Sequence, residues 1–154
     1  MKKITIKSPS GMFSGNCINN VNTFYGIPYA KSCAENNRWH APKKLEPNHN
    51  HLESTRGSSA YQTVVNKSFM FDPTIPDPSE DCLNLNIASP KDASNLPVMI
   101  WIHGGAFLTG SANGALYSMD TLALKEVILV TINYRLGPLG FLKLDEVTNG
   151  LIPS

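Results

Sequence analysis

Val98-Met99-Ile100-Trp101-Ile102-His103-Gly104-Gly105-Ala106-Phe107 is an apolar run that feeds directly into a His-Gly-Gly turn. A short run without polar alternation predicts a strand covered on both faces, as in a parallel sheet. A glycine turn at its end lets backbone N–H groups converge on one point, which is what holding a developing oxyanion requires. Outward from this stretch, Val127 to Ile132 is a second run of the same kind. Between the two, Ser118 to Lys125 reads as a short helix, with Ser118 as candidate N-cap and Asp120 in the first turn. Strand, turn, helix and strand make a βαβ unit, whose two strands run parallel. G-x-S-x-G, the elbow that presents a nucleophilic serine, occurs nowhere in the 154 residues.

Upstream, the pattern changes to short alternating segments. Lys3 to Lys7, Met12 to Ile18 and Val21 to Tyr25 read as strands, separated by turns at Ser8-Pro9-Ser10-Gly11 and Asn19-Asn20, which predicts a small antiparallel meander. Periodicity is weak from Lys31 to Pro78, a length that suits a functional loop or one laid across a larger body. Leu83-Asn84-Leu85-Asn86-Ile87 alternates, so a strand with one buried face is expected there. Asn133 to Phe141 reads as a strand end followed by a bend fixed by Gly137, Pro138 and Gly140.

The composition narrows the function classes. A formal net charge of +1 gives no electrostatic reason to expect nucleic acid or an anionic membrane as partner. The longest apolar runs are far too short to cross a bilayer. Met1-Lys2-Lys3 is followed by no apolar h-region, because Lys7 and Pro9 interrupt it, so export is not expected. The three cysteines, Cys17, Cys33 and Cys82, cannot all pair within the chain, and reduced thiols in a cytoplasm are the simpler reading.

Five blocks then carry a resemblance. Phe24-Tyr25-Gly26-Ile27-Pro28-Tyr29-Ala30 comes first, then Arg38-Trp39, then Ser79-Glu80-Asp81-Cys82-Leu83-Asn84-Leu85-Asn86. The His103 to Phe107 turn with Gly110-Ser111 is fourth, and Asn133-Tyr134-Arg135-Leu136-Gly137-Pro138-Leu139-Gly140-Phe141 is last. In this order they resemble the N-terminal third of the type-B carboxylesterases, the family of cholinesterases and bacterial para-nitrobenzyl esterases.

That resemblance implies an α/β class chain, the N-terminal part of an α/β-hydrolase fold. The antiparallel meander would be followed by the first strands of a mostly parallel sheet, and residues 1–154 would be one incomplete domain. It implies a serine-dependent carboxylic-ester hydrolase acting on a small-molecule ester, without cofactor or metal. Serine, acid and histidine would all lie outside these residues, supplied downstream or by a separately encoded C-terminal part. By position, the oxyanion donors would be the backbone N–H groups of Gly105 and Ala106, where Ala106 replaces a glycine of many relatives. Phe107 and Leu108 would line part of the substrate pocket, and Arg38 and Glu80 would form a buried ion pair clamping the long loop. Secreted relatives pair the equivalent of Cys82 with an upstream loop cysteine. Tyr61 to Asn66 has none, and Cys17 and Cys33 are expected to lie elsewhere.

The 154 residues alone are accordingly expected to be inactive. The competing reading is a catalytically dead remnant or a non-enzymatic binding fragment of the same family. His40, His49 and His51 lack metal-ligand spacing and read as solvated histidines. Ser111 has no sequence-adjacent base and reads as a loop serine. Glu80 and Asp81, adjacent in an extended segment, point to opposite faces and make no acid/base pair.

Overall fold

In the computed structural model, which describes residues 1–47, 50–62, 77–114, 119–146 and 148–150, the meander forms from β1 (Lys2–Ser8), β2 (Gly11–Ile18) and β3 (Val21–Pro28). They pair antiparallel in sequence order. Asn19 and Asn20, at φ 49° and 62°, form the two-residue connection between β2 and β3. Asparagine tolerates the left-handed backbone that a tight hairpin needs. Among its described residues, the long polar segment contributes a 3-10 turn at Glu35–Asn37 and β4 (His51–Leu52), which joins β2 in parallel.

Further strands extend the same sheet. β5 (Asn84–Pro90) lies antiparallel to β3, and β7 (Ile128–Ile132) lies antiparallel to β5. β6 (Val98–Ile102) lies parallel to β7, as the βαβ reading expects. The order is β1-β2-β3-β5-β7-β6, so β6 is an edge strand among the described residues. The parallel part of the sheet therefore begins at its last pair.

The connecting helix α1 (Met119–Ala123) has Asp120 in its first turn, whereas the proposed cap Ser118 lies outside the described residues. Met119 and Ala123, one turn apart, are buried with Val21, Ala88 and Leu129. A second apolar cluster joins Ala30, Cys33, Ala60, Cys82, Leu83 and Leu136.

Two expectations are corrected by this arrangement. β6 is not covered: every one of its five residues is exposed, from 40% at Trp101 to 61% at Ile100 and Ile102. Its pattern fits an interior strand, but the described residues supply a neighbour on one edge only. The bend after Asn133 is a short helix, α2 (Gly137–Phe141), entered through Pro138, whose fixed φ suits a first helical turn. β5 has the single buried face that its alternation predicts, and that face is the polar one, with Asn84, Asn86 and Ala88 inside and Leu85 and Ile87 half-buried.

Candidate active site

The polar face of β5 organises the loops around the glycine turn. Asn86 is 1% exposed. Its Nδ2 donates to Asn113 Oδ1 at 2.9 Å and Thr131 Oγ1 at 3.2 Å, and its Oδ1 accepts the Gly26 N–H at 3.0 Å. That N–H sits in a bulge of the β3·β5 ladder, between Phe24 and Ile27, so the side chain replaces a missing strand partner. Asn133 Nδ2 donates to Asn84 Oδ1 at 2.9 Å, while its Oδ1 accepts the Ala112 N–H at 2.8 Å. Asn84 and Asn113 in turn donate to the carbonyls of Ser58 and Gly57. Ser111, 8% exposed, donates to Asn133 and accepts the Asn113 N–H, so it is a member of this network. A buried side-chain amide needs partners for both ends, and here the two loops that flank the turn supply them.

The turn itself is held from three sides. His103, 2% exposed, stacks on Tyr134 with ring centroids 4.4 Å apart, and the Tyr134 hydroxyl donates to the His103 carbonyl at 2.8 Å. Burial holds the imidazole below its ordinary pKa. Gln62 grips Gly110 through both amide ends, accepting its N–H at 2.8 Å and donating to its carbonyl at 2.9 Å. The Gly137 N–H, at the start of α2, donates to the Phe107 carbonyl at 2.7 Å.

Within this frame Gly105, Ala106 and Phe107 all have positive φ, at 125°, 54° and 61°. A Cβ on Gly105 would collide with the Thr109 carbonyl, so glycine is required there by both space and backbone. Ala106 and Phe107 have no such freedom, and left-handed backbone costs each about 1–2 kcal/mol. The Gly105 carbonyl accepts the N–H groups of Leu108 and Thr109 at 3.0 and 3.1 Å. Among the described residues the N–H groups of Gly105 and Ala106 have no acceptor. Strain held by a packed surround, with adjacent amide protons unclaimed, is the form of an anion-receiving turn.

The remaining sequence-derived residues fall around it. Phe107 and Leu108 are 60% and 61% exposed, so the described residues close no pocket over them, although the Phe107 ring leans on Phe141 at 4.7 Å. Arg38 and Glu80 pair closely: Nε donates to both carboxylate oxygens at 2.8 and 2.9 Å, and the terminal nitrogen lies 2.7 Å from Oε1. The pair is half open, with the Arg38 side chain 42% and the Glu80 side chain 16% exposed. Asp81 stands exposed on the other side of the segment.

His40 and His51 are separate on the surface, and no metal-ligating group of three occurs among the described residues. His49 lies outside those residues. His51 Nε2 lies 2.5 Å from Ser14 Oγ and 3.8 Å from Glu53. One nitrogen faces both groups, so this is no serine–histidine–carboxylate relay, which needs the two ring nitrogens on different partners.

Cys33 is where reasoning from sequence missed. Tyr29 N–H donates to the Leu83 carbonyl at 3.1 Å and folds the segment after β3 back along the start of β5. That brings Cys33 against Cys82 inside one apolar cluster, although Cys33 had been expected elsewhere. No local signal in the sequence gives this contact.

Comparison with known proteins identifies the family. The model of the carboxylesterase family matches residues 2–150. The chain is 43% identical over 138 residues to the para-nitrobenzyl esterase of Bacillus subtilis, covering 88% of this chain and 28% of that protein. It is 40% identical over 134 residues to acetylcholinesterase 4 of Caenorhabditis briggsae, covering 82% and 22%. Among solved structures, a thermophilic para-nitrobenzyl esterase superposes with a TM-score of 0.87 at 37% identity, over 97% of this chain and 31% of that one. The juvenile hormone esterase of Manduca sexta superposes with a TM-score of 0.83 at 33% identity, over 94% and 28%. The chain thus spans less than a third of the length of these relatives, whose fold is that of the α/β-hydrolases. It belongs to the carboxylesterase family.

Proposed function

We propose that this chain is the N-terminal segment of a serine-dependent carboxylic-ester hydrolase, to which it contributes the oxyanion turn. The N–H groups of Gly105 and Ala106 receive the negative oxygen that forms when a serine hydroxyl attacks the ester carbonyl. The alcohol then leaves, and water releases the acid from the acyl-enzyme. Nucleophile, acid and base come from residues outside 1–154, either continuous with this chain or separately encoded. Phe107 and Leu108, exposed beside the turn, become walls of the ester pocket when the rest of the domain covers them.

The observation that carries this reading is the strained turn with two unclaimed amide protons at the end of β6. The buried asparagine network supports it by fixing the loops on both sides. The non-enzymatic alternative has no observation of its own in its favour.

The test is a fusion of residues 1–154 to the complementary part of the Bacillus subtilis para-nitrobenzyl esterase, assayed on a para-nitrobenzyl ester. The fusion is expected to turn over ester, and the short chain is not. Ala106→Pro removes one donor and cannot adopt the observed φ, so kcat should fall about 10²–10³-fold. Ala106→Gly keeps the N–H and should retain activity. A folded, soluble fusion without turnover, or one indifferent to Ala106→Pro, overturns the assignment.

A further inference from the structure

Cys33 and Cys82 play no part in the proposed ester chemistry, yet they are placed for chemistry of their own. Both are buried, at 5% and 1% exposure, as members of one apolar cluster. Cys33 Sγ also donates to the Glu80 carbonyl at 2.7 Å. Together with Arg38, Ala60, Glu80 and Arg135 they line a cavity of about 10 Å³, the room that one water-sized molecule needs. The third cysteine, Cys17, stands apart on β2, where it pairs in register with Lys2 and Asn22.

We propose that Cys33 and Cys82 form a redox-active dithiol that closes to a disulfide when hydrogen peroxide reaches the two thiols. This pairing differs from the one implied by secreted relatives, and it is independent of the esterase assignment. The two thiols are unequal. The neighbouring Cys82 thiol and the Arg135 guanidinium favour the Cys33 thiolate, while the Cys33 thiol beside it and burial disfavour that of Cys82. With Cys33 as the attacking sulfur the step balances. Its thiolate takes one oxygen of the peroxide, the O–O bond breaks, and hydroxide leaves as water after picking up the thiol proton. The Cys82 sulfur then attacks the sulfenic acid, the S–S bond forms, the S–O bond breaks, and a second water departs. The two electrons given up by the thiols reduce one peroxide to two waters.

The bridge ties the segment after β3 to the entry of β5, beside the Arg38–Glu80 pair. Closing so long a loop restricts the unfolded chain and raises the melting temperature by roughly 10 °C.

The 154-residue chain is exposed to graded hydrogen peroxide, alkylated under denaturing conditions and mapped by peptide mass, with a parallel sample in concentrated urea. In native buffer the expected product is a Cys33–Cys82 peptide lighter by two hydrogens, with Cys17 alkylated, reversible by dithiothreitol. In urea the shorter Cys17–Cys33 loop should close preferentially, because closure cost grows with length. A native preference for Cys33–Cys82 that vanishes in urea establishes the pair. The same product distribution in both buffers, oxidation to sulfinic acids without a bridge, or two alkylated thiols after oxidation overturns it. Should the short chain precipitate, the same mapping on the fused protein decides between these outcomes.

Discussion

The polar residues Asn84 and Asn86 of β5, Thr131 of β7 and Asn133 just beyond it, and the neighbouring strand β6, invert the usual distribution of polar and apolar residues. The four polar residues are 0–7% exposed, whereas all five apolar residues of β6 are 40–61% exposed. The first region is complete within the chain, since its own loops satisfy every amide end. The second has one paired edge and two bare faces. Two kinds of strand surface are thus built into one sheet, one held by hydrogen bonds to nearby loops and one left open among the described residues. Where a residue is buried is a property of the assembled fold; its polarity alone does not decide it.

The largest effect expected from this contrast comes from Ile100→Lys. An unpaired apolar edge templates aggregation, and lysine blocks it. The soluble yield of the short chain should rise, with folding stability changed by no more than about 0.5 kcal/mol. In the fused protein the same residue becomes interior, and the substitution should cost about 4 kcal/mol or prevent folding. Ultracentrifugation of the short chain and urea unfolding of both proteins check the two halves. Equal effects in both proteins would break the comparison.

Asn86→Leu tests the complete region and should cost about 3 kcal/mol in either protein. It leaves the Gly26 N–H without its acceptor and Asn113 and Thr131 without their donor, and each orphaned buried group costs about 1–3 kcal/mol. A leucine that is tolerated in urea unfolding would show that the amides are not structurally required.

This inversion also explains what could be read from the sequence. β1 to β3, the parallel β6·β7 pair and the glycine turn follow from periodicity and turn residues, which act locally. The alternation Leu83-Asn84-Leu85-Asn86-Ile87 signals a strand, but not that its asparagine side is inside. That depends on Ser58, Ala112 and Asn113, far off in the chain. The exposed state of β6 was hidden because its composition is that of an interior strand. Cys33 beside Cys82 follows from a single backbone hydrogen bond of Tyr29 to Leu83, which no residue pattern announces.

His103 yields a smaller, pH-dependent effect. Burial holds its folded pKa below the ordinary imidazole value of 6.5, so the unfolded chain binds the proton more readily. Stability from this residue is complete above about pH 6.5 and is lost as pH falls below it, with a slope of at most about 1.4 kcal/mol per unit. Urea midpoints at neutral and mildly acidic pH should therefore separate, and His103→Asn should reduce the separation. A midpoint that rises on acidification would require a charged, partnered imidazole instead.

The smallest effect belongs to Arg38 and Glu80, and it sharpens the contrast most finely. Their geometry is close and two-pronged, which favours strong pairing. The arginine side chain is nevertheless 42% exposed in this chain, and an ion pair open to water gains little and is screened by salt. A double-mutant cycle with Arg38→Ala and Glu80→Gln should give a small coupling in the short chain, fading in high salt. In the fused protein the outcome depends on which of the two regions the pair belongs to. A coupling that grows and resists salt means that further elements of the domain cover it, placing the clamp with β6 among the parts that wait for the rest of the fold. An unchanged coupling places it with the asparagine network, as part of the region this chain completes alone.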